Sequence, residues 1–125
     1  MSHLLRRHAP ITSAGWERID QEARDRLTPG LAARKLIDFK GPLGWEYSAT
    51  SLGRIEPVDK VPFAGIAAAR RRVLPLVELR ADFAMSRGEL ADGDRGAEDI
   101  DFDSLDTAAL NLAVAENTAV FHGWP

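Results

Sequence analysis

Residues 34–47 read Arg34-Lys35-Leu36-Ile37-Asp38-Phe39-Lys40-Gly41-Pro42-Leu43-Gly44-Trp45-Glu46-Tyr47. The turn residues Gly41, Pro42 and Gly44 separate two segments of extended character. An amphipathic segment precedes this stretch and a β-rich segment follows it, so the sequence predicts a mixed α+β protein. None of these residues is a plausible catalyst, and the pattern therefore favours interaction surfaces over an active site.

The composition is that of one globular domain with a modest core. The chain has 125 residues, 45% of them hydrophobic and 28% charged. It contains no cysteine, which excludes disulfides and cysteine-bound zinc and suits a reducing cytoplasm. No apolar run approaches the length of a membrane span, so no membrane partner is expected.

Charge is distributed unevenly along the chain. Residues 1–40 carry eight basic and five acidic residues, whereas residues 86–125 carry two basic and nine acidic ones. This asymmetry indicates either docking between neighbouring copies or a simple solvated surface. The single basic cluster, residues 70–72, has no interleaved aromatic residues, so nucleic-acid binding is not expected.

The amino-terminal third predicts one long helix. Thr12 or Ser13 can cap it, and its apolar residues recur at helical spacing. These residues are Trp16, Ile19, Ala23 and Leu27. Residues 28–30, Thr-Pro-Gly, should interrupt or kink the helix because proline removes a donor and clashes with the preceding turn. A short helical turn is expected at residues 31–35.

The middle of the chain predicts a long hairpin. Residues 45–58 indicate one or two strands, residues 59–65 a loop tip, and residues 71–85 the strongest strand of the chain because polar and apolar residues alternate there. Pro75 places part of that strand at a sheet edge. A lone hairpin buries little surface and is marginally stable in water, so a partner surface is expected.

The last third predicts two further helices. Ser86 and Glu89 have the spacing of a capping box, and the glycines at 93 and 96 keep that helix short. Asp103 or Ser104 should cap a long helix over residues 105–121. The acidic residues before it lack the order of an EF-hand loop, so neither a metal site nor a cofactor site is expected.

Three tryptophans and one charged pair are the remaining candidates for function. Trp16, Trp45 and Trp124 are either interface anchors or core residues. Arg34 and Asp38 are four residues apart, and they either form a local ion pair or present their charges to a bound peptide. No group of polar residues has the spacing of a known catalytic motif, so no enzyme activity is expected.

Several motifs, in order and with similar spacing, resemble the encapsulins, the nanocompartment shell proteins once described as linocin-type bacteriocins. They are Ala9-Pro10-Ile11-Thr12, Trp16-Glu17-Arg18-Ile19-Asp20, Arg34-Lys35-Leu36-Ile37-Asp38, Gly41-Pro42-Leu43-Gly44-Trp45-Glu46-Tyr47, Pro75-Leu76-Val77-Glu78-Leu79-Arg80, Arg95-Gly96, Ala115-Glu116-Asn117 and Phe121-His122-Gly123. The resemblance runs from about Leu4 to Gly123.

The resemblance implies the fold of tailed-phage major capsid proteins. Residues 1–44 would be an amino-terminal arm and helix (13–27), residues 45–80 the E-loop hairpin, and residues 81–125 the first part of the peripheral domain with its spine helix (105–121). By this resemblance, the axial domain would lie outside the chain. Members of this family are roughly twice as long, so the chain is expected to be an amino-terminal half: a fragment, or one part of a split protein that needs its carboxy-terminal half.

The implied function is that of a shell subunit in a self-assembling icosahedral nanocompartment of the bacterial cytoplasm. Such shells enclose cargo enzymes, dye-decolourising peroxidases or ferritin-like proteins with roles in oxidative stress and iron storage, through a carboxy-terminal docking peptide. The positions that match the peptide dock are Ala23, Leu27, Leu31, Arg34 and Asp38. The positions expected to contact other copies are Trp45, Tyr47, Val73, Pro75 and Val77.

Three alternatives to a shell subunit stay open at this point. The first is a small peptide-binding module that does not form shells, and the second is a fragment with no independent function. The third is an enzyme or secreted toxin, as the old bacteriocin label suggests. Particle size separates the first alternative from a shell protein.

Overall fold

The computed structural model describes residues 5–123, and Trp124 lies outside this part of the chain. Helices and strands are both present, as the sequence predicts. The elements are α1 (Ser13–Gly30), α2 (Ala33–Leu36), β1 (Ala49–Pro57), β2 (Ala69–Pro75), α3 (Arg87–Asp94) and α4 (Asp103–Phe121), with a 3-10 turn at Arg6–His8. The described residues divide into a helical unit, formed by residues 5–39 and 79–123, and a hairpin unit, Lys40–Glu78.

Helix α1 begins where the sequence predicts. The Thr12 hydroxyl accepts a hydrogen bond from the Gly15 amide at 2.9 Å, which satisfies one of the free donors at the helix start. The predicted interruption at residues 28–30 is wrong in its position, because α1 continues through Pro29 and ends at Gly30. Proline is tolerated there because the one hydrogen bond it removes lies in the last turn, next to solvent.

The core of the helical unit lies where α1 and α2 pack on α4. Among the described residues, four of the seven buried apolar ones are alanines, so the helices approach closely. A Cβ atom added to Gly30 would lie 3.0 Å from the Cβ of Ala113. The buried residues are Ile19, Leu31, Ala33, Leu105, Ala108, Ala109 and Ala113. Small side chains at a helix crossing give close backbone contact but a small apolar area, so this core is modest.

Asn117 fastens the end of α1 and the start of α2 to α4. Its amide group donates to the Gly30 carbonyl at 2.8 Å, and its carbonyl accepts from the Ala33 amide at 3.1 Å. Both backbone groups belong to the connection between the two helices, where intrahelical partners are lacking. One side chain therefore holds this connection in place.

The start of α4 differs from the prediction. The residue before the helix is Phe102, so neither Asp103 nor Ser104 caps it. The Ser104 hydroxyl accepts instead from the Ala84 amide at 3.0 Å, and Asp101 accepts from the Asp103 amide at 3.0 Å. Several short polar residues lie together here, and the sequence alone does not rank them as caps.

The predicted capping box at α3 is half right. Ser86 accepts from the Glu89 amide at 3.0 Å, as expected for an N-cap. The Glu89 carboxylate does not complete the box, because it accepts from the Asp101 amide at 3.1 Å. Glu89 therefore ties the loop before α4 to α3.

The hairpin unit is a two-stranded antiparallel sheet. Ala49 pairs with Pro75 and Pro57 with Ala69, and a bulge interrupts the register between Ser51 and Arg54. Gly44 adopts a φ of +97° in the turn before β1, a conformation that favours glycine. Residues 58–68 connect the two strands, and the predicted loop tip, residues 59–65, lies within this connection. Apart from Ala49, every residue of both strands is exposed.

The prediction of one strand over residues 71–85 is wrong in its second half. Strand β2 ends at Pro75, and the last ladder bond runs from the Leu76 amide to the Ser48 carbonyl at 2.8 Å. The alternating pattern of residues 77–85 indicates extended backbone, but a strand also needs a neighbour. Strand β1 begins at Ala49, the partner of Pro75, so it offers no pairing to the residues beyond.

Candidate functional site

The five residues predicted to bind a cargo peptide lie along the end of α1 and around α2. Ala23 and Leu27 are half-buried and, four residues apart on one helix, share a face. Leu31 is 8% exposed and belongs to the core of the helical unit. Arg34 and Asp38 are exposed. The described surface thus offers two small or aliphatic side chains followed by two charged ones.

Arg34 is held by a residue that the sequence reasoning did not assign to the site. Its guanidinium forms a two-pronged ion pair with Glu116, with Nε–Oε2 at 2.9 Å and Nη2–Oε1 at 2.7 Å. The same guanidinium lies 4.5 Å from the centre of the Phe39 ring. Glu116 belongs to the Ala115-Glu116-Asn117 motif. That motif was the feature of the sequence that could have assigned Glu116 to the site.

The structure does not contain the local ion pair between Arg34 and Asp38 that was one of the two alternatives for these residues. Helix α2 ends at Leu36, and Ile37 is already extended, with φ −122° and ψ 166°. Residues four apart face each other only on a continuous helix, so Asp38 is not aligned with Arg34. The Arg34 guanidinium pairs with α4 instead.

The residues predicted to contact other copies all lie in the hairpin unit. Trp45, Tyr47 and Val77 line an open groove of about 360 Å³, together with Gly44, Ser48, Leu76 and Glu78. Trp45 is 70% exposed and Val77 is 68% exposed. The Tyr47 hydroxyl lies 2.9 Å from that of Thr50, which orients the ring at the start of β1.

The register gives the hairpin two different faces. Directly opposed residues share a face of a sheet, and successive residues alternate between faces. One face, here called the apolar face, carries the pairs Ser51–Val73, Ala49–Pro75 and Ile55–Arg71. The other, called the basic face, carries the pairs Arg54–Arg72, Glu56–Arg70 and Thr50–Leu74.

Large apolar side chains are exposed throughout the hairpin unit. Besides Trp45 and Val77, they are Leu43, Leu52, Ile55, Val58, Phe63, Ile66, Val73, Leu74 and Leu76. Isolated exposed apolar residues are normal, but so many of them within one small unit are typical of a surface that contacts other polypeptides.

Helix α4 has a second apolar face that the sequence reasoning missed. Leu110, Val114 and Phe121 are exposed and lie on the side away from the buried residues Leu105 and Ala109. A helix that is apolar on most of its circumference is typical of a buried helix. That feature of the sequence was the signal for a second contact surface.

Trp16 and Trp45 have different environments. Trp16 is half-buried, with the Arg6 guanidinium 4.6 Å from its ring centre. Arg6 also forms a two-pronged ion pair with Asp20 at 2.7 and 2.8 Å, and this hydrogen bonding lowers the pKa of the Asp20 carboxyl. Trp16 is thus partly covered by the Arg6 side chain but is not among the buried core residues, whereas Trp45 is 70% exposed.

A group of charges connects α1 to α4 near the core. The Arg26 Nε atom lies 2.9 Å from Glu22 and 3.5 Å from Asp106. Hydrogen bonding with Glu22, together with burial, raises the pKa of Asp106 to about 6. Hydrogen bonds with Asp106 and Arg26 lower the pKa of Glu22. The two carboxyl groups therefore share one proton in mildly acidic solution.

A two-stranded sheet that exposes nearly all of its residues is typical of a protein that contacts other polypeptides. The whole chain, residues 1–125, matches the family model described as encapsulating protein for peroxidase, Linocin_M18. The chain belongs to this family. In residues 5–123, no helix combines the length and apolar character needed to cross a membrane.

Three relatives are each named type 1 encapsulin shell protein. The Rhodospirillum rubrum protein is 48% identical over 129 residues, which cover 99% of this chain and 46% of the relative. The Rhodococcus erythropolis protein is 38% identical, over 100% of this chain and 47% of the relative. The Mycobacterium tuberculosis protein is 38% identical, over 99% and 46%. The chain spans about half the length of the curated relatives it matches.

Proposed function

We propose that this chain supplies the amino-terminal part of a shell subunit, which assembles with other copies into an icosahedral compartment that encloses a peroxidase in the cytoplasm. Family membership and the names of the relatives support the assignment. The observation that carries it is the hairpin, whose strands expose every residue but Ala49. A two-stranded sheet of this kind gains stability from a partner surface.

The proposed fold is that of tailed-phage major capsid proteins. In this assignment α1 is the amino-terminal helix, the hairpin unit Lys40–Glu78 is the E-loop, and α4 is the spine helix. The exposed stripe of Leu110, Val114 and Phe121 is covered by the part of the fold that the carboxy-terminal half provides. Burying apolar surface of this kind contributes roughly 25 cal/mol per Å².

The contact between copies is made by the hairpin. Trp45, Tyr47 and Val77 line its groove, and Val73 and Pro75 lie on its apolar face. Aromatic residues at such positions give large contact areas at a low entropic cost. A specific interface buries about 800 Å² on each partner, so the hairpin forms one part of a larger contact.

The proposed dock for the cargo peptide is the surface of Ala23, Leu27, Arg34 and Asp38. Leu31, which was also predicted to belong to the dock, is buried in the core and is therefore not part of the exposed surface. Small and aliphatic side chains suit apolar peptide residues, while Arg34, oriented by Glu116, and the exposed Asp38 fix the peptide register. The cargo is a dye-decolourising peroxidase or a ferritin-like protein that carries a carboxy-terminal peptide. In this role the shell is structural and the cargo supplies the catalysis.

The experiment that tests the dock is co-purification of cargo with assembled shells. The chain is expressed with the remaining part of the Rhodospirillum rubrum relative and with a peroxidase that carries its docking peptide. The double variant Arg34→Ala, Asp38→Ala should form shells and lose the peroxidase, because both charged contacts to the peptide are removed.

The matched control is Arg24→Ala, Asp25→Ala, which removes the same two residue types from exposed positions of α1. It should retain both shells and cargo. Normal loading of the Arg34, Asp38 variant would show that the peptide binds elsewhere. Small particles that still bind the peptide would favour a binding module over a shell subunit.

A further inference from the structure

The basic face of the hairpin holds an unfavourable pair of like charges. Arg54 lies directly opposite Arg72 in the register, and both side chains are exposed. Like charges at opposed positions destabilise a two-stranded sheet. The next pair, Glu56 and Arg70, is a loose ion pair at 3.6 Å. Within the hairpin unit, neither Arg54 nor Arg72 forms an ion pair with an acidic side chain.

This arrangement suits a carboxylate from outside the hairpin. Guanidinium groups present planar donors that match carboxylates in pairs, and a carboxylate between two arginines removes their repulsion. The basic face therefore suits a partner surface that carries carboxylates.

The chain itself contains a surface of that chemistry. Residues 97–103 read Ala97-Glu98-Asp99-Ile100-Asp101-Phe102-Asp103, and they are here called the acidic segment. Glu98 and Asp99 are exposed, and neither has a basic partner within the described residues of the helical unit. The sequence between 86 and 125 has only two basic residues to balance nine acidic ones.

The acidic segment is held in a fixed position on the helical unit. The Asp101 amide donates to Glu89 of α3 at 3.1 Å. The Ile100 side chain packs so closely over Gly93 that a Cβ atom there would lie 2.5 Å from its Cδ1 atom. Glu98 and Asp99 are therefore presented by an anchored loop, and docking on it costs little loop ordering.

We propose that the basic face of one copy docks on the acidic segment of a second copy, so that Arg54 and Arg72 bind the carboxylates of Glu98 and Asp99. This interface rests on the proposed function, because it requires that copies of the chain assemble. Such charge pairs give an interface its register and its specificity, whereas apolar contacts supply most of its area. The apolar face of the same hairpin remains available for those contacts.

The test is site-directed cross-linking between copies. The chain has no cysteine, so a single introduced thiol is unique. Leu74→Cys marks the basic face, and Ala97→Cys marks the acidic segment. The two marked chains are mixed, assembled with the carboxy-terminal part of the Rhodospirillum rubrum relative, and treated with a short bis-maleimide. Linkage between the two different chains is expected.

Charge reversal identifies the groups involved. Arg54→Glu, Arg72→Glu in the first chain should lower the linked fraction about tenfold, because like charges then face each other. Adding Glu98→Lys, Asp99→Lys to the second chain should restore it. The control Arg7→Glu, Arg87→Glu makes the same change of charge at exposed positions outside both surfaces and should leave linkage unchanged.

Three outcomes would overturn the proposal. Linkage that is insensitive to the reversals would show that these charges do not meet. Efficient linkage within one chain that carries both cysteines, without linkage between chains, would assign the contact to a single copy. Shells that form normally from the reversed chains would exclude this interface and leave the proposed function intact, whereas failure of the unmodified chains to form particles would contradict the proposed function itself.

Discussion

The helical unit and the hairpin unit use the same residue types in opposite ways. Ile19 of α1 is 5% exposed, whereas Ile55 of β1 is 64% exposed. In the helical unit, buried apolar side chains such as Ile19 already have partners and contribute to stability. In the hairpin, a backbone ladder fixes the geometry, while the side chains of both strands, apart from Ala49, stay exposed. One sequence thus contains a part that is stabilised internally and a part that gains stability by association.

Replacing one isoleucine by alanine in each unit tests this difference between the two units most strongly. Ile19→Ala should lower the free energy of unfolding of the chain by about 2–5 kcal/mol, because it removes buried methyl groups from a small core. Ile55→Ala should change it by less than about 0.5 kcal/mol, because the side chain is already in water. Urea unfolding followed by the helical circular dichroism signal measures both.

Shell formation should show the opposite dependence. Ile55→Ala should weaken assembly with the carboxy-terminal part while leaving the monomer stable. A large loss of monomer stability in the Ile55 variant would mean that the hairpin has a partner within its own chain, and the distinction between the two units would fail.

Replacing Asn117 should have a smaller effect on stability, and it tests how α1 and α2 are held on α4. Asn117→Ala leaves the Gly30 carbonyl and the Ala33 amide without their partner, at a cost of about 1–3 kcal/mol. Asn111→Ala, at an exposed position of the same helix, is the matched control and should be nearly neutral. If both substitutions change the free energy of unfolding in urea equally, the Asn117 side chain does not hold α1 and α2 on α4.

The smallest effect is a pH dependence confined to the helical unit. The pKa of Asp106 is raised to about 6, so its stabilising contribution is complete below the ordinary carboxyl pKa of about 4 and is lost as pH rises through 6. The lowered pKa of Glu22 acts in the opposite sense, and its contribution is lost only in more acidic solution.

Asp106→Asn keeps a donor to Glu22 at every pH, so the decline between about pH 4 and 6 should disappear. Asp99→Asn, an exposed carboxyl in the acidic segment, should keep the decline of the unmodified chain. Unfolding curves measured across this range check both variants. A persistent decline in Asp106→Asn would assign the pH dependence to other groups.

The sequence predicted those features that depend on local pattern. The stripe that includes Ile19 and the cap at Thr12 correctly indicated α1, and the glycine turn before β1 was also recognised. Features that depend on distant partners were not predictable in this way. The Arg34–Glu116 pair joins residues far apart in the chain, and the end of β2 at Pro75 depends on where its partner strand begins. Alternation predicts an extended segment, but it does not say which polypeptide pairs with it.

The most direct test of the central claim is negative-stain electron microscopy of this chain, expressed alone and together with the remaining part of the Rhodospirillum rubrum relative. We expect uniform hollow particles in the co-expressed sample, because the exposed hairpin and the exposed face of α4 then find their partners. A dispersed monomer in both samples would contradict the assignment of this chain to an assembling shell.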